Sequence, residues 1–295
     1  MSRLSLPFVA LVTAFNDDET INFAAMRKQV RRQSDAGNHI LVCGTNGDFS
    51  SLLFAEKVYL SAAVLEAANG KRKVFVNVGA PSTFETIKLA QDIDALGVDG
   101  LAVITPYFIS CTQEGLYRHF CSVADAVTAP LYLYDIPART QNHIEPETAE
   151  RLANHGNIAG IKDSGGTQDT LDNYLKLSVG RNDFDVFSGP DSMVHYALSR
   201  GALGCISGLA NIDPLTLTEI CTKHDIGDAR GAEQAQARFA GLRADLYALG
   251  YPPAITKRAL YLMDSSVGAS RQPALLPDEV LDMKITNLLK KFALL

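Results

Sequence analysis

The sequence predicts an α/β protein that folds as a (β/α)8 TIM barrel with a C-terminal helical appendage. Eight short runs of apolar and β-branched residues alternate with longer helical patterns, as in repeated strand–helix units around a parallel sheet. The units recur about every 30 residues, the usual length of a strand–helix–strand crossover. After Gly208 the pattern is helical, so we expect a barrel over residues 1–210 and a helical extension packed on it over 211–295.

The predicted elements follow from these alternating patterns. We place the strands at residues 7–15, 40–43, 74–78, 101–105, 131–136, 158–162, 184–187 and 203–207. Helices are predicted over 22–36, 54–68, 84–96 and 113–127, and three of them precede a glycine suited to a helix end, Gly37, Gly70 and Gly97. A doubly wound open sheet would show the same alternation, but the chain has no GxGxxG after its first strand and no GxxxxGK[ST]. We therefore prefer the closed barrel.

The composition argues against several classes of protein. The chain carries 27 basic and 33 acidic side chains, a formal charge of −6, which disfavours a nucleic-acid partner. No apolar run approaches the roughly 20 residues that cross a bilayer, so we expect no membrane partner. The five cysteines are widely spaced without a CxxC pair, and the first residues do not resemble a signal peptide, so we expect a cytoplasmic protein. The six histidines form no HExxH motif, and we expect neither a metal nor a cofactor.

Lys162 is the most informative of the polar residues that follow the predicted strands. It closes the apolar run 158–161, and the chemistry of such barrels lies at the C-terminal ends of the strands. Burial favours the neutral form of a lysine, and the neutral amine is the nucleophile that attacks a ketone. The simpler alternative is an ion pair between Lys162 and Asp163, or another carboxylate at the strand end.

Two other strand ends carry candidate site residues. Tyr134 lies near the end of the fifth predicted strand, where a phenol can pass a proton to and from a substrate oxygen. The alternative is a packing residue with one hydrogen bond, which is the commoner role of a buried tyrosine. The segment 44–47 places two glycines around Thr45 and Asn46, which lets backbone N–H groups point at an anion. A simple tight turn is the alternative for this segment.

Six short motifs occur together along almost the whole chain. They are GTNGD at 44–48, TPY at 105–107, YDIP at 134–137, PART at 137–140, GIKDS at 160–164 and GCISG at 204–208. In this order and spacing they resemble the dihydrodipicolinate synthase and N-acetylneuraminate lyase superfamily of Schiff-base pyruvate aldolases. Dihydrodipicolinate synthases carry GTTGE, TPYY, YNVP and IKE at these places, and related keto-deoxy sugar acid aldolases carry similar signatures. The resemblance implies a lyase that makes or breaks a carbon–carbon bond beside the carbonyl carbon of pyruvate.

The resemblance also implies roles for individual residues. Lys162 would form the imine with pyruvate, Tyr134 would be the general acid and base, and the hydroxyl of Thr45 would link to Tyr134. The backbone amides of Thr45 and Asn46 would hold the pyruvate carboxylate. Three further residues would complete the binding site: Arg139 for the carboxylate of the second substrate, with Gly189 and Ile206 in the keto-acid pocket.

Tyr107 matches a residue that, in the synthases, completes a proton relay across a tight dimer interface. It would therefore reach into the site of the neighbouring subunit. The resemblance implies a homo-oligomer, a tetramer built as a dimer of dimers.

The segment after Thr45 bears on the choice between family members. Asn46 stands where GTTGE has its second threonine, and an amide cannot pass a proton as a hydroxyl does. Residues 47–51 resemble the GEFS pattern of some 2-keto-3-deoxy-aldonate aldolases. We therefore predict a 2-keto-3-deoxy sugar acid aldolase, acting on pyruvate and an aldehyde or keto-deoxy sugar acid. The alternative, favoured by Tyr107 and Arg139, is a 4-hydroxy-tetrahydrodipicolinate synthase that condenses pyruvate with aspartate semialdehyde. A barrel that only binds a ligand is a remote third possibility, which the retained motifs disfavour.

Overall fold

Eight parallel strands close into a barrel in chain order, with β8 paired to β1, in a computed structural model that describes residues 3–274 and 278–295. The strands are β1 (Leu6–Ala10), β2 (His39–Val42), β3 (Val74–Asn77), β4 (Gly100–Ile104), β5 (Leu131–Asp135), β6 (Ile158–Asp163), β7 (Asp185–Ser188) and β8 (Gly204–Ser207). Helices lie between the strands and continue after the last one. The predicted TIM barrel with a C-terminal helical appendage is confirmed.

The helices occupy the segments between strands and the C-terminal part of the chain. They are α1 (Phe23–Ala36), α2 (Phe54–Ala68), α3 (Thr83–Asp94), α4 (Gln113–Asp125), α5 (Pro137–Thr140), α6 (Pro146–Ala153), α7 (Gln168–Ser178), α8 (Val194–Ser199), α9 (Pro214–Asp225), α10 (Ala229–Tyr247), α11 (Pro252–Met263) and α12 (Glu279–Lys291). No helix in the described ranges combines the length and apolar character needed to span a membrane.

The first strand is the one whose predicted end differs most from the structure. β1 stops at Ala10, whereas the predicted strand ran to residue 15. Residues 11–15 are buried like the strand itself, and Phe15 forms an isolated antiparallel bridge with Ile21. Apolar patterning reports burial and not hydrogen bonding, so it cannot tell where a ladder ends. The ends of the other strands agree with the prediction to within one residue.

Helix ends follow the expected capping chemistry. The side chain of Asn22 accepts a hydrogen bond from the Ala25 N–H at 3.0 Å and caps α1, and Gly37 ends this helix with a φ of 97°. After α2 the left-handed backbone begins one residue earlier than predicted, at Asn69 with a φ of 49°, and continues into Gly70. Asparagine tolerates this conformation better than other residues with a Cβ, so it shares the role expected of the glycine.

Aromatic rings fill the interior of the barrel below the strand ends. Phe8, Phe75, Tyr132 and Phe187 form one buried cluster, with ring centres 4.5 Å apart for Phe8 and Phe75 and 4.6 Å apart for Phe75 and Tyr132. The barrel is therefore a packed core and not a pore. Polar side chains later on the same strands stand above this layer, at the C-terminal mouth.

The C-terminal helices pack on the barrel, and α10 and α11 reach its mouth. α9 packs on β1 and α1, α10 packs on α9, and α11 contacts the turn that follows β2. Lys257 of α11 is fully buried and donates a hydrogen bond to the backbone carbonyl of Thr13. The appendage thus contributes walls to the region where the strands end. The division of the chain at residue 210 stays a prediction.

Candidate active site

Lys162 and Tyr134 lie side by side at the C-terminal end of the barrel. β5 and β6 pair in a register that sets Tyr134 opposite Lys162. The Lys162 Nζ lies 3.9 Å from the centre of the Tyr134 ring. The two residues are only 6% and 2% exposed, so both are largely withdrawn from water. An amine and a phenol in this arrangement can act on the same substrate atom, one as nucleophile and the other as proton donor.

The alternative ion pair between Lys162 and Asp163 does not form. Successive side chains on a strand point to opposite faces, so Asp163 points away from the amine. Its carboxylate accepts hydrogen bonds from the Gly165 N–H at 2.8 Å and the Thr170 hydroxyl at 3.3 Å. Burial is the main effect that raises the pKa of Asp163 to about 6. Lys162 forms no ion pair with any residue in the ranges 3–274 and 278–295.

Thr45 connects the end of β2 to Tyr134. It begins a short 3-10 turn, Thr45–Gly47, directly after the strand. The Thr45 Oγ1 and the Tyr134 hydroxyl lie 3.0 Å apart, and either can donate the hydrogen bond. Two strand ends that are distant in sequence are therefore joined at the site by one hydroxyl pair.

Close backbone approaches shape this turn. A Cβ on Gly47 would lie 2.9 Å from the carbonyl oxygen of Leu11, and a Cβ on Gly208 would lie 2.6 Å from the Asn46 Nδ2. The Asn46 amide thus packs over Gly208 just beyond β8. Thr45 and Asn46 are the first two residues of the 3-10 turn, where N–H groups have no acceptor inside the turn. These N–H groups can bind an anion.

A cavity of about 350 Å³ opens above Lys162. A space of this size holds a small metabolite. All but one of the site residues expected from the sequence line it, namely Thr45, Asn46, Tyr134, Arg139, Lys162, Gly189 and Ile206. The structure therefore brings together residues from β2, β5, β6, β7 and β8 and from the turns that follow them. We call this space the Lys162 cavity.

Tyr107 is the exception, because it lines a neighbouring cavity of about 640 Å³. Its ring packs edge-on against Phe49, with 5.7 Å between the ring centres. Burial, and to a smaller extent the negative charge of Glu85, raises the pKa of Tyr107. Tyr107 forms no hydrogen bond with Thr45 or Tyr134 within its own chain. Its expected role across a subunit interface stays a prediction. The fourth residue of TPYY is phenylalanine here, Phe108.

Sequence reasoning missed several side chains of the Lys162 cavity, among them Asp191, Arg243 and Tyr247. Asp191 follows β7 and accepts a hydrogen bond from the Ser207 hydroxyl at 2.5 Å, and burial raises its pKa. Arg243 and Tyr247 lie four residues apart on α10 and so share one face of the helix. No strand-end motif points to them, because only tertiary packing brings α10 to the mouth.

The charges around the Lys162 cavity favour anionic ligands. Three cationic side chains, those of Lys162, Arg139 and Arg243, line it together with the carboxylate of Asp191. A concave surface dominated by one sign of charge concentrates ligands of the opposite sign. In the described part of the chain, no group of three or more His, Cys, Asp or Glu side chains is arranged to hold a metal ion.

Comparison with known proteins places the chain among pyruvate-utilising barrels. The profile of the dihydrodipicolinate synthetase family matches residues 4–292. A 4-hydroxy-tetrahydrodipicolinate synthase of Geobacter metallireducens is 34% identical over 97% of this chain and 98% of its own. One from Acaryochloris marina is also 34% identical, over 97% of each chain.

Solved structures give the same result. Dihydrodipicolinate synthase from Thermotoga maritima superimposes with a TM-score of 0.93 at 31% identity and covers 100% of both chains. The chloride-inhibited enzyme from Acinetobacter baumannii, solved with pyruvate, has a TM-score of 0.92 at 31% identity and also covers 100% of both.

The predicted 2-keto-3-deoxy sugar acid aldolase is wrong, because full-length relatives at 34% identity are named 4-hydroxy-tetrahydrodipicolinate synthase. The prediction rested on Asn46, which lines the Lys162 cavity, and on residues 47–51. In the structure Asp48, Phe49, Ser50 and Ser51 line the neighbouring cavity, outside the wall of the Lys162 cavity. The sequence pattern at these positions therefore does not identify the substrate that binds above Lys162.

The broader prediction holds. The relatives are Schiff-base-forming, pyruvate-dependent lyases and synthases, so the predicted enzyme class is confirmed and the ligand-binding alternative is disfavoured. The family match spans the eight strands and the C-terminal helices alike. This chain belongs to the dihydrodipicolinate synthetase family.

Proposed function

We propose that the protein is a 4-hydroxy-tetrahydrodipicolinate synthase, which condenses pyruvate with aspartate semialdehyde. The observation that carries this proposal is the contact between the Lys162 amine and the Tyr134 phenol, with Thr45 bonded to that phenol at 3.0 Å. The choice of partner is supported by the synthase names of full-length relatives. The cationic lining of the Lys162 cavity suits two carboxylate-bearing substrates.

In the first half-reaction, the Lys162 amine adds to the keto carbon of pyruvate. The resulting carbinolamine loses its hydroxyl as water, with a proton supplied by Tyr134, and leaves a protonated imine. Tyr134, left as a phenolate, then takes a methyl proton next to the imine carbon, and the electron pair of that C–H bond enters the imine to give an enamine. Thr45 orients the Tyr134 hydroxyl and exchanges a proton with it.

In the second half-reaction, the enamine carbon attacks the aldehyde carbon and forms the new carbon–carbon bond. The aldehyde oxygen takes the proton held by Tyr134 and becomes the product hydroxyl. The amino group of the partner then adds to the imine carbon, closes the ring and releases the Lys162 amine. One water molecule leaves per condensation, and Lys162 is regenerated.

The remaining site residues would bind and orient the two substrates. The backbone amides of Thr45 and Asn46 hold the pyruvate carboxylate, and Arg139 holds the carboxylate of the aldehyde partner. Gly189 and Ile206 line the keto-acid end of the Lys162 cavity. Binding both substrates in the Lys162 cavity holds the enamine carbon close to the aldehyde carbon, so their reaction no longer depends on a chance encounter in solution.

We also propose that the protein works in the cytoplasm as a homo-oligomer, a tetramer arranged as a dimer of dimers. Tyr107 would then take part in the site of the adjoining subunit. The residues that follow it support such an interface, since Phe108 is 86% exposed and Ile109 is 66% exposed. Large exposed apolar side chains grouped on one loop are typical of protein–protein contacts. The cysteines are all free thiols, as suits a reducing compartment.

Borohydride trapping tests the proposed imine. Incubation with pyruvate and borohydride should add the reduced pyruvate group to the peptide that contains Lys162, as seen by mass spectrometry. Lys162→Ala should carry no adduct and lose turnover of pyruvate plus aspartate semialdehyde. Lys176→Ala, which changes an exposed lysine on α7, is the matched control and should behave like wild type.

The location of the adduct matters because a second deeply buried lysine exists. Burial lowers the pKa of Lys257 to about 8, but Lys257 is bound to the Thr13 carbonyl and does not line the Lys162 cavity. An adduct on Lys257, or one that persists in Lys162→Ala, would overturn the assignment. Trapping at Lys162 without consumption of aspartate semialdehyde would overturn only the choice of partner.

A further inference from the structure

Arg243 differs from every other partly buried arginine in residues 3–274 and 278–295. Each of the others donates hydrogen bonds to a carboxylate or a backbone carbonyl, namely Arg27, Arg32, Arg72, Arg181, Arg258 and Arg271. Arg243 has neither a hydrogen bond nor an ion pair within these ranges, and its Nε is buried without a partner. A guanidinium nitrogen withdrawn from water without an acceptor is costly, and native proteins rarely leave one so.

The position of Arg243 indicates that its hydrogen-bond acceptor is a ligand in the Lys162 cavity. The residue lines the Lys162 cavity from α10, which packs against the turn Asp191–Met193. Its guanidinium carbon lies 5.3 Å from the centre of the Tyr247 ring on the same helix face. The nearby carboxylate of Asp191 does not satisfy it, because Asp191 accepts instead from the Ser207 hydroxyl at 2.5 Å and the Leu209 N–H at 3.4 Å.

We propose that Arg243 is a specificity-determining residue that binds the carboxylate of the aldehyde partner, on the side of the cavity covered by the C-terminal helices. This inference rests on the proposed condensation and extends it. The aldehyde carbon must approach the enamine at Lys162, which directs the other end of the molecule away from the strand ends. Pyruvate has its own donors in the turn after β2, so Arg243 is left to bind the carboxylate of the second substrate together with Arg139.

The chemistry of the side chain supports a carboxylate. A guanidinium offers paired N–H donors that match the two oxygens of a carboxylate, and such charge-assisted bonds are stronger than neutral ones. The contact between the guanidinium and the Tyr247 ring leaves those donors free. Arg139 reaches the same cavity from α5, so two guanidinium groups from different parts of the chain face it.

A binding measurement on the borohydride-reduced pyruvate adduct tests the proposal without turnover. The probe is L-homoserine, the alcohol analogue of aspartate semialdehyde, and its affinity is measured by calorimetry. Arg243→Gln should weaken binding about 10- to 100-fold, the loss expected for a hydrogen bond between charged groups. Arg243→Lys should recover part of it. Homoserine methyl ester, which lacks the anionic charge, should bind wild type and Arg243→Gln alike.

Arg238→Gln is the matched control, because Arg238 lies on the same helix, is exposed and binds Glu219 outside the cavity. It should leave homoserine binding unchanged. In steady-state assays, Arg243→Gln should raise the KM for aspartate semialdehyde by a similar factor. The pyruvate concentration that gives half-maximal trapping should not move.

Three results would overturn the proposal. They are wild-type affinity in Arg243→Gln, no homoserine binding to the wild-type adduct, and a parallel loss of pyruvate trapping and thermal stability that marks a structural role. Failure of the proposed function has a different signature. Wild type would then trap pyruvate without consuming aspartate semialdehyde, while homoserine binding to the adduct would still decide the role of Arg243.

Discussion

Tyr134 is held from two sides, by the Lys162 amine over its ring and by the Thr45 hydroxyl at its oxygen. At 2% exposure the ring is closely packed, which restricts the directions that its hydroxyl can take. A residue so constrained is suited to proton transfer, which requires a donor within hydrogen-bond distance of the reacting atom. Thr45 therefore acts through Tyr134 and is a positioning residue.

We predict that Thr45→Val, which keeps the shape of the side chain and removes the hydroxyl, lowers kcat about 10- to 100-fold, part of the usual contribution of general acid–base catalysis. Tyr134→Phe should lower kcat further, while some imine still forms. Since both changes remove the same hydrogen bond, the double variant should be little worse than Tyr134→Phe alone. Stopped assays of the four proteins measure this cycle.

Ser50→Ala is the control for that cycle, because Ser50 lines the neighbouring cavity and not the Lys162 cavity. Its kcat should equal that of wild type. Fully additive losses in Thr45→Val and Tyr134→Phe would mean that the two hydroxyls act independently, against the contact seen between them.

At the scale of elements, α3 and α4 are joined by a buried histidine. The His119 Nδ1 of α4 lies 2.9 Å from the hydroxyl of Thr83, the first residue of α3. Burial lowers the pKa of His119 to about 4. Its Nε2 is buried and has no hydrogen-bond partner in the described part of the chain, so protonation would place an unpaired charge between the helices.

We predict that the free energy of unfolding falls as pH drops from about 6.5, the unfolded value for histidine, toward 4. The folded pKa is the lower one, so the unfolded chain binds more protons in this window. His119→Asn should reduce the loss of unfolding free energy between pH 6.5 and 4 by on the order of 2 kcal/mol. Urea unfolding at several pH values measures it.

Other buried groups contribute to the same profile. Burial also lowers the pKa of His39 to about 4, which adds to the loss at low pH. Asp163 acts in the opposite sense, because its folded pKa is raised to about 6 and its protonated form is favoured by folding. Gln234→Asn, at an exposed residue of α10 that does not titrate, is the control and should keep the wild-type pH dependence. If His119→Asn leaves the pH dependence of the free energy of unfolding unchanged, His119 does not cause it.

At the scale of the whole molecule, the loop after β4 presents an apolar surface. Phe108 and Ile109 are exposed there, and Phe84 at the start of α3 is 74% exposed. Burial and, to a smaller extent, the negative charge of Glu85 in the first turn of α3 raise the pKa of Tyr107 in this loop. An exposed apolar group of this kind, beside a residue expected to serve a neighbouring site, supports the proposed subunit contact.

We predict that the double variant Phe108→Asp, Ile109→Asp dissociates the oligomer and so lowers the molecular mass of the assembly in solution. The two new carboxylates would be buried in the subunit contact without partners. Light scattering after gel filtration measures the mass. If Tyr107 serves the neighbouring site, turnover should fall while pyruvate trapping at Lys162 persists. Val179→Asp, at an exposed position after α7, should change neither quantity. An unchanged mass would remove this loop from the interface.

Most of the architecture was predictable because it depends on local patterns. Alternating apolar runs and helical stretches give the closed barrel, and Lys162, Tyr134 and Thr45 each follow or end a strand. Parallel strands in a barrel all end at the same mouth, so position along the strand is enough to bring these residues together. The end of β1 was not predictable, since residues 11–15 are buried without continuing its ladder.

The sequence by itself determined the barrel, the enzyme class and the three residues expected to carry the chemistry, because strand ends and short motifs are local properties of a chain. Only the tertiary structure decided that Asp48 to Ser51 belong to the neighbouring cavity and that Arg243 enters the Lys162 cavity. Those facts depend on how α10 and the turn after β2 pack over the mouth. Contacts between residues so distant along the chain are set by the packing of whole elements, and no local pattern encodes them.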